Sequence, residues 1–220
     1  MVNSRLIIGV DDAGRGCIMG PLVIAGISMP EYKATLLAGY GVKDSKLLRP
    51  DQRERLYDVI MSLCSDVSVE MIPAERIDEF VRHKKKHTKL NYLEAIHMAK
   101  VINKLAGEVA YVDASDTDIS LFAEQISSSL TRKIGLVATH HADRLFVVSS
   151  AASIVAKVVR DREIEMIKSK IGDFGSGYPS DPKTLRFLRN WLEEHEDIPP
   201  YSRKTWKTWK RITVTKGELV

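Results

Sequence analysis

The chain has 220 residues, 44% hydrophobic and 28% charged, with 33 Lys and Arg against 29 Asp and Glu for a formal net charge of +4. That length makes one domain, or a domain with a modest appendage, and allows a sizeable core, while no apolar run approaches the roughly 20 residues of a membrane helix. Cys17 and Cys64 have no metal-binding spacing, and Asn3-Ser4-Arg5 lead straight into an apolar run without a signal-peptide pattern, so a reducing, cytoplasmic setting is expected.

In chain order, residues 6–10 and 21–29 read as two buried strands joined by a glycine-rich connection, with Pro21 opening the second. Residues 47–64 read as a helix with Pro50 in its first turn and Leu56, Val59, Ile60 and Leu63 as its apolar stripe. Residues 66–73 form a short strand, and residues 88–105 an amphipathic helix with Leu90, Leu93, Ile96, Val101 and Ile102 on or near one face. "EVAYVDAS" is a strand ending at Asp113, and "IGLVATHHAD" a strand running out towards Asp143. A long helix spans Ser149 to Lys170, its first turns small enough to approach a sheet closely; a turn-rich loop and a helix over residues 183–195 follow. The tail from Ile198 carries Trp206, Trp209 and many basic residues. Strands followed by strand–helix alternation suggest α/β with a mixed sheet, and the last part turns mainly helical.

Asp11, Asp12, Asp113 and Asp143 stand at or just beyond the ends of apolar runs. A single Asp in such a place is ordinarily a turn or a helix cap. In open α/β sheets, however, ligands bind off strand ends. Carboxylates that converge there raise one another's pKa unless a cation neutralises them. Oxygen-only ligands suit Mg²⁺ or Mn²⁺, and two such ions support phosphodiester hydrolysis.

"GVDDAGRGCIMGPLVIAG" (residues 9–26) resembles the N-terminal signature of the type 2 ribonucleases H, the ribonuclease HII family. The likeness continues in order through "VKDSKLL" (42–48), "AYVDAS" (110–115), "HHADRLFVVSSAASIVAKVVRDREI" (140–164), "GDFGSGYPSDPKT" (172–184) and "RKTWKT" (203–208), with an archaeal flavour in the tyrosine loop. The resemblance implies an α/β ribonuclease H-like fold: a mixed five-stranded sheet flanked by helices, with a mainly helical C-terminal extension. Residues 1–170 would be the catalytic domain and residues 171–220 the substrate-binding extension. It implies cleavage of RNA in RNA–DNA hybrids and incision 5′ to single ribonucleotides in duplex DNA, leaving 5′-phosphate and 3′-hydroxyl ends. Asp11, Asp12, Asp113 and Asp143 would be the metal-binding catalytic acids, with Mg²⁺ or Mn²⁺, two ions when substrate is bound. Two positions depart from the family: Asp12 stands where Glu is usual, one methylene shorter, and Leu47 where another Lys is frequent.

Gly14-Arg15-Gly16 has the composition to bring main-chain groups close to a ligand without a Cβ clash, and the family assigns this segment to the 2′-hydroxyl, which distinguishes RNA from DNA. The plain alternative is a tight turn. Tyr178 in "SGYPSDP" is suited to stack on a sugar face, the family role being recognition of the junction with deoxynucleotide; the alternative is a packed turn tyrosine. Lys43, Ser45 and Lys46 are donors suited to phosphate. Arg203 and Lys204, with Lys207, Lys210 and Trp206, would clamp duplex backbone or anchor the tail. The run Arg82–Lys89 matches no family motif and reads as a solvated loop or a weak electrostatic patch. His140 and His141 are not expected as metal ligands.

Two rival readings remain: another nuclease or resolvase of the same fold, which need not carry the glycine turn and tyrosine loop, and a binding module whose catalysis is lost through Asp12. The expected partners are RNA–DNA hybrid and ribonucleotide-containing duplex DNA, with the protein a monomer. The tail "TVTKGELV" carries no docking pattern, so a replication clamp has no support in the sequence.

Overall fold

The computed structural model describes residues 5–43, 45–83, 89–195 and 197–217, apart from the side chains of Lys46, His83, Lys89 and residues 213–217. A five-stranded sheet has the order β3-β2-β1-β4-β5, built from β1 (Leu6–Ala13), β2 (Leu22–Pro30), β3 (Asp66–Ile72), β4 (Val109–Asp113) and β5 (Gly135–Thr139). β1 and β2 pair antiparallel with Asp11 opposite Ala25, whereas β1, β4 and β5 run parallel, Val10 opposite Val112 and Asp113 opposite Thr139. Parallel neighbours place their carboxyl ends at one sheet edge, so Asp11, Asp12 and Asp113 reach the same edge by register alone.

The helices are α1 (Glu31–Gly39), α2 (Pro50–Leu63), α3 (Ala74–His83), α4 (Lys89–Lys104), α5 (Ile119–Ser127), α6 (Ala142–Leu145), α7 (Val147–Ile171), α8 (Pro182–His195) and α9 (Thr208–Gly217). Among the described residues no helix is long and apolar enough to cross a membrane. Sequence periodicity found α2, α4, α7 and α8 but not α1, α3 or α5. The strand expected to run on to Asp143 stops at Thr139; Asp143 lies in the first turn of α6, beyond His141 in the left-handed region at φ 58°.

The chain falls into two compact units, the first of residues 1–13, 23–71 and 90–159, the second of residues 14–22, 72–89 and 160–220. The boundary expected at residue 170 is therefore displaced. It falls inside α7, and the second unit also draws in the connection after β1 and the segment around α3.

The core of the first unit is formed by Ile7, Val23, Ala25, Ile27 and Met29 of the sheet with Leu37, Leu56, Ile60 and the small face Ala151, Ala152 and Val155 of α7. Each fully buried aliphatic side chain contributes about 1.5–3 kcal/mol. Gly9 explains the close approach of helix to sheet: a Cβ there would stand 2.1 Å from the Val148 carbonyl oxygen. Ser149 completes the junction by donating to the Tyr111 carbonyl at 3.1 Å. In the second unit Ile18 and Met19 pack with Ile164, Ile167, Phe174, Leu188, Trp209 and Ile212. Trp209 thus anchors the tail: its indole Nε1–H donates to the Arg203 carbonyl at 3.0 Å.

Candidate functional site

In the first unit three of the predicted acids, Asp11, Asp12 and Asp113, interact at the carboxyl end of the central strands, and the fourth, Asp143, lies in the first turn of α6. Asp11 is buried, 5% exposed. Burial, then the charges of Asp12 and Asp113, push its carboxyl well above the ordinary 3.8, while hydrogen bonds from Ser153 and from the Asp12 amide pull the other way. The Asp12 N–H donates to Asp11 Oδ1 at 2.7 Å. Asp113 Oδ1 accepts the Ala142 N–H at 2.9 Å, so it caps α6 and draws the next residue, buried Asp143, into its neighbourhood. The Ser150 hydroxyl fixes that turn by donating to the Asp143 carbonyl at 2.5 Å.

All four donors are carboxylates, the hard oxygen chemistry that Mg²⁺ or Mn²⁺ takes. A buried carboxylate raised by two others is also the electrostatic state a cation relieves. Among the described residues no three His, Cys, Asp or Glu side chains close into a ready ligand set. Mg²⁺ bound through only one or two carboxylates takes its remaining positions from water and substrate phosphate.

Three polar side chains escaped the sequence reading. Glu94 is fully buried and accepts the Ser115 hydroxyl, which also lies 3.5 Å from Asp12 Oδ1. Its signal was present, since Glu94 sits four residues after Leu90 and one after Leu93, on the face of α4 predicted to be apolar. Ser153 faces Asp11 and pairs with the Ser45 hydroxyl at 2.8 Å. Ser45 was expected to meet phosphate; it is instead buried, 5% exposed, and spends its hydroxyl on Ser153. Lys43 is exposed and lines a cleft of about 310 Å³ with Tyr40, Leu48, Gln52 and Arg55. The Lys46 side chain, most of the Arg82–Lys89 run and the tail's last residues lie outside the described residues.

The second unit brings together two motifs about 160 residues apart. The Cys17 N–H closes the Gly14-Arg15-Gly16 turn onto the Gly14 carbonyl at 3.2 Å, and the next two amides, Ile18 and Met19, both donate to the Gly177 carbonyl at 2.8 and 3.2 Å. This backbone clamp sets the Tyr178 ring beside Gly16: a Cβ at Gly16 would lie 3.8 Å from the ring edge. The Arg160 guanidinium stands over the same ring, 5.0 Å from its centroid, and donates to the Ser176 carbonyl at 2.5 Å and to Cys17 Sγ at 2.9 Å. The tyrosine loop is closed from below by Asp181, which accepts the Ser176 and Lys183 amides at 2.7 and 2.9 Å. The Ser176 amide bond leads in holding the Asp181 carboxyl at about 2. Thr184 adds a buried link, accepting the Gly177 N–H at 3.0 Å and donating to the Phe174 carbonyl at 2.8 Å.

Arg203 is a correction. Expected on duplex backbone, its side chain is fully buried and its fork donates to the carbonyls of Gly20, Arg15 and Gly14 at 3.2, 2.6 and 2.6 Å. Lys204 is exposed, while its amide and that of Thr205 are held by buried Asp78 at 2.6 and 3.0 Å. Lys207 and Lys210 are exposed as well. The His140 Nδ1–H donates to the Ala114 carbonyl at 3.0 Å.

A mixed five-stranded sheet of this order, flanked by helices, is the ribonuclease H-like fold. The family model for ribonuclease HII matches residues 8–209. A ribonuclease HII of Pyrococcus abyssi is 45% identical over 94% of this chain and 90% of its own length. The crystal structure of the ribonuclease H2 from Pyrococcus horikoshii OT3 superposes with a TM-score of 0.86 at 40% identity, covering 96% of this chain and 98% of that one. The ribonuclease HII seen in complex with PCNA from Archaeoglobus fulgidus does so with a TM-score of 0.84 at 38% identity, covering 94% and 96%. The chain belongs to the ribonuclease HII family, and so to the metal-dependent endonucleases that cleave the RNA strand of RNA–DNA hybrids.

Proposed function

We propose that this chain also incises duplex DNA on the 5′ side of a single embedded ribonucleotide, leaving 5′-phosphate and 3′-hydroxyl ends, with Asp11, Asp12, Asp113 and Asp143 as its metal-binding catalytic acids. The observation that carries the reading is the seating of the Tyr178 ring at Gly16, 3.8 Å from where a Cβ would stand. An aromatic ring beside exposed backbone suits one sugar and its neighbour. Gly14, Arg15 and Gly16 read the 2′-hydroxyl, which donates and accepts, and Tyr178 stacks on the adjoining deoxyribose. Exposed Lys43, Lys204, Lys207 and Lys210 neutralise phosphates, which positions the duplex without reading sequence; Lys46 has the same proposed role.

Divalent ions held by the four acids, two when substrate is bound, would lower the pKa of a water and stabilise the leaving 3′-oxygen. The chain's own contribution is to hold those acids in place. Ser153 fixes Asp11, the Ala142 amide fixes Asp113, and Ser150 fixes the turn that carries Asp143. Asp12 keeps the charge of the family's usual Glu on a shorter arm and remains in the acid set.

The test is a DNA duplex with one ribonucleotide, offered with Mg²⁺ or Mn²⁺. A single incision 5′ to the ribonucleotide is expected, with binding that weakens steeply as salt rises. Cutting governed by duplex structure instead, or binding without cutting, would overturn the reading.

A further inference from the structure

We propose that Arg203 is the positioning residue of the Gly14-Arg15-Gly16 turn, aiming the Arg15 and Gly16 amides outward as a donor pair for the ribose 2′-hydroxyl and its phosphate. The inference rests on the ribose-reading role proposed above for that turn.

The geometry is that of the peptide plane. A trans peptide points the carbonyl of one residue and the N–H of the next in opposite directions. Arg203 Nη2 draws the Gly14 carbonyl inward at 2.6 Å and Nη1 draws the Arg15 carbonyl inward at 2.6 Å. The Arg15 and Gly16 N–H groups are thereby turned the other way. One planar fork orients two consecutive peptide units, and its Nε adds the Gly20 carbonyl at 3.2 Å, where the connection rejoins the sheet strand. The backbone of Arg203 is itself tied in, its N–H donating to the Ile18 carbonyl at 2.9 Å. Its guanidinium is covered by the Trp206 ring, 4.9 Å from the centroid.

Turn backbone has no ladder to hold it, so two peptide planes fixed by a buried charged donor are a deliberate investment. Lysine cannot replace it. An ammonium is a single point of charge and lacks the rigid fork that meets several carbonyls at once. Because lysine keeps the charge, Arg203→Lys separates geometry from electrostatics.

The experiment compares the dissociation constant for a duplex with one ribonucleotide against that for the same duplex in all-DNA form, in a background where Asp113→Asn stops turnover. Arg203→Lys is expected to shrink the preference for the ribonucleotide duplex by about tenfold, in keeping with a displacement of a fraction of an ångström at a reading group. All-DNA affinity and its salt slope should stay at the parent value. An unchanged preference overturns the inference. So does an equal loss on both duplexes with a salt slope reduced by about one, which would mark a phosphate contact. Trp206→Leu, which loosens the cover of the guanidinium and leaves its three acceptors in place, must move the preference in the same direction. It decides the matter if Arg203→Lys does not fold. A parent protein with no preference at all refutes instead the proposed ribose-reading role, so the two failures are distinguishable.

Discussion

The two glycines of the turn make opposite demands, and replacing each with alanine separates fold from function. Gly14 has φ +85°, and a Cβ there would stand 2.6 Å from the Pro21 carbonyl oxygen. A non-glycine residue held in that region costs about 1–3 kcal/mol. The overlap must also be relieved by moving backbone by about 0.8 Å to reach ordinary contact. Gly14→Ala should therefore lower the melting temperature by about 2–12 °C, at about 2–4 °C per kcal/mol for a chain of this size. Because the shift displaces the amides that follow, kcat/KM on a single-ribonucleotide duplex should fall tenfold or more, an ångström at a reading group being worth about 10²-fold. At Gly16 the added methyl meets only the Tyr178 ring, at 3.8 and 4.0 Å, and needs no unusual φ. Gly16→Ala should leave stability within about 0.5 kcal/mol yet lose activity, because the methyl occupies the exposed surface beside the ring. The assays are thermal denaturation of both variants and steady-state incision of the single-ribonucleotide duplex. A Gly16→Ala protein as active as the parent would remove this surface from the ribose site. A Gly14→Ala protein as stable as the parent would refute the claim that the turn depends on its left-handed residue.

Tyr178→Ala should depress single-ribonucleotide incision more than cleavage of a uniform RNA–DNA hybrid, read as the ratio of the two kcat/KM values; equal losses would count against junction recognition. Asp113→Asn should abolish turnover while leaving duplex affinity within about threefold in a filter-binding assay, since an amide oxygen still accepts the Ala142 N–H and phosphate contacts dominate affinity. The raised Asp11 carboxyl has a definite sign in stability: between 3.8 and its higher folded value the native state binds the extra proton, so metal-free protein loses stability as pH rises through that window. Asp11→Asn should flatten that slope, and adding Mg²⁺ should raise the melting temperature of the parent at pH 7 but much less that of the variant.

What the sequence made legible was where hydrophobic pattern and motif agree. β4 ends at Asp113 as expected, whereas β1, read as ending at Val10, runs on through both acids to Ala13; parallel register then brings Asp11 and Asp113 to one edge. The small residues at the start of α7 do meet the sheet, at Gly9. Other elements were hidden for physical reasons. α1 presents Tyr32 and Leu36 to solvent and fully buries only Leu37, so its apolar residues mark no continuous buried face. α5 had a readable start, Asp118, whose side chain accepts the Leu121 N–H at 3.0 Å, but a short helix between loops gives little periodicity. Arg203 and Ser45 were misread because a basic residue in a basic run, or a serine among lysines, reads as surface. Their burial depends on carbonyls and a hydroxyl supplied from elsewhere in the chain, Gly14, Arg15 and Gly20 for one and Ser153 for the other, which no local pattern encodes.

The two kinds of functional group call for two kinds of support. Asp11, Asp12 and Asp113 sit on strands, where ladder hydrogen bonds to β2, β4 and β5 already fix the backbone, so a few hydroxyls and amides suffice to aim the carboxylates. Gly14 lies two residues past Asp12, where the chain has left β1 and no ladder remains. Precision there comes from isolated backbone bonds, such as the Ile18 and Met19 amides on the Gly177 carbonyl, and from side chains that bond backbone: Arg203 on the turn, Arg160 on the Ser176 carbonyl, Asp181 and Thr184 inside the tyrosine loop. Burying two guanidinium groups is costly unless their donors are bonded: each nitrogen of Arg203 meets a carbonyl, whereas the buried Nε of Arg160 has no partner among the described residues. Apolar residues of the same volume would pack as well but would leave peptide planes free to rotate, because dispersion is not directional. The carbonyl-directed hydrogen bonds of Arg203 and Arg160 supply that directionality in the interior of the second unit.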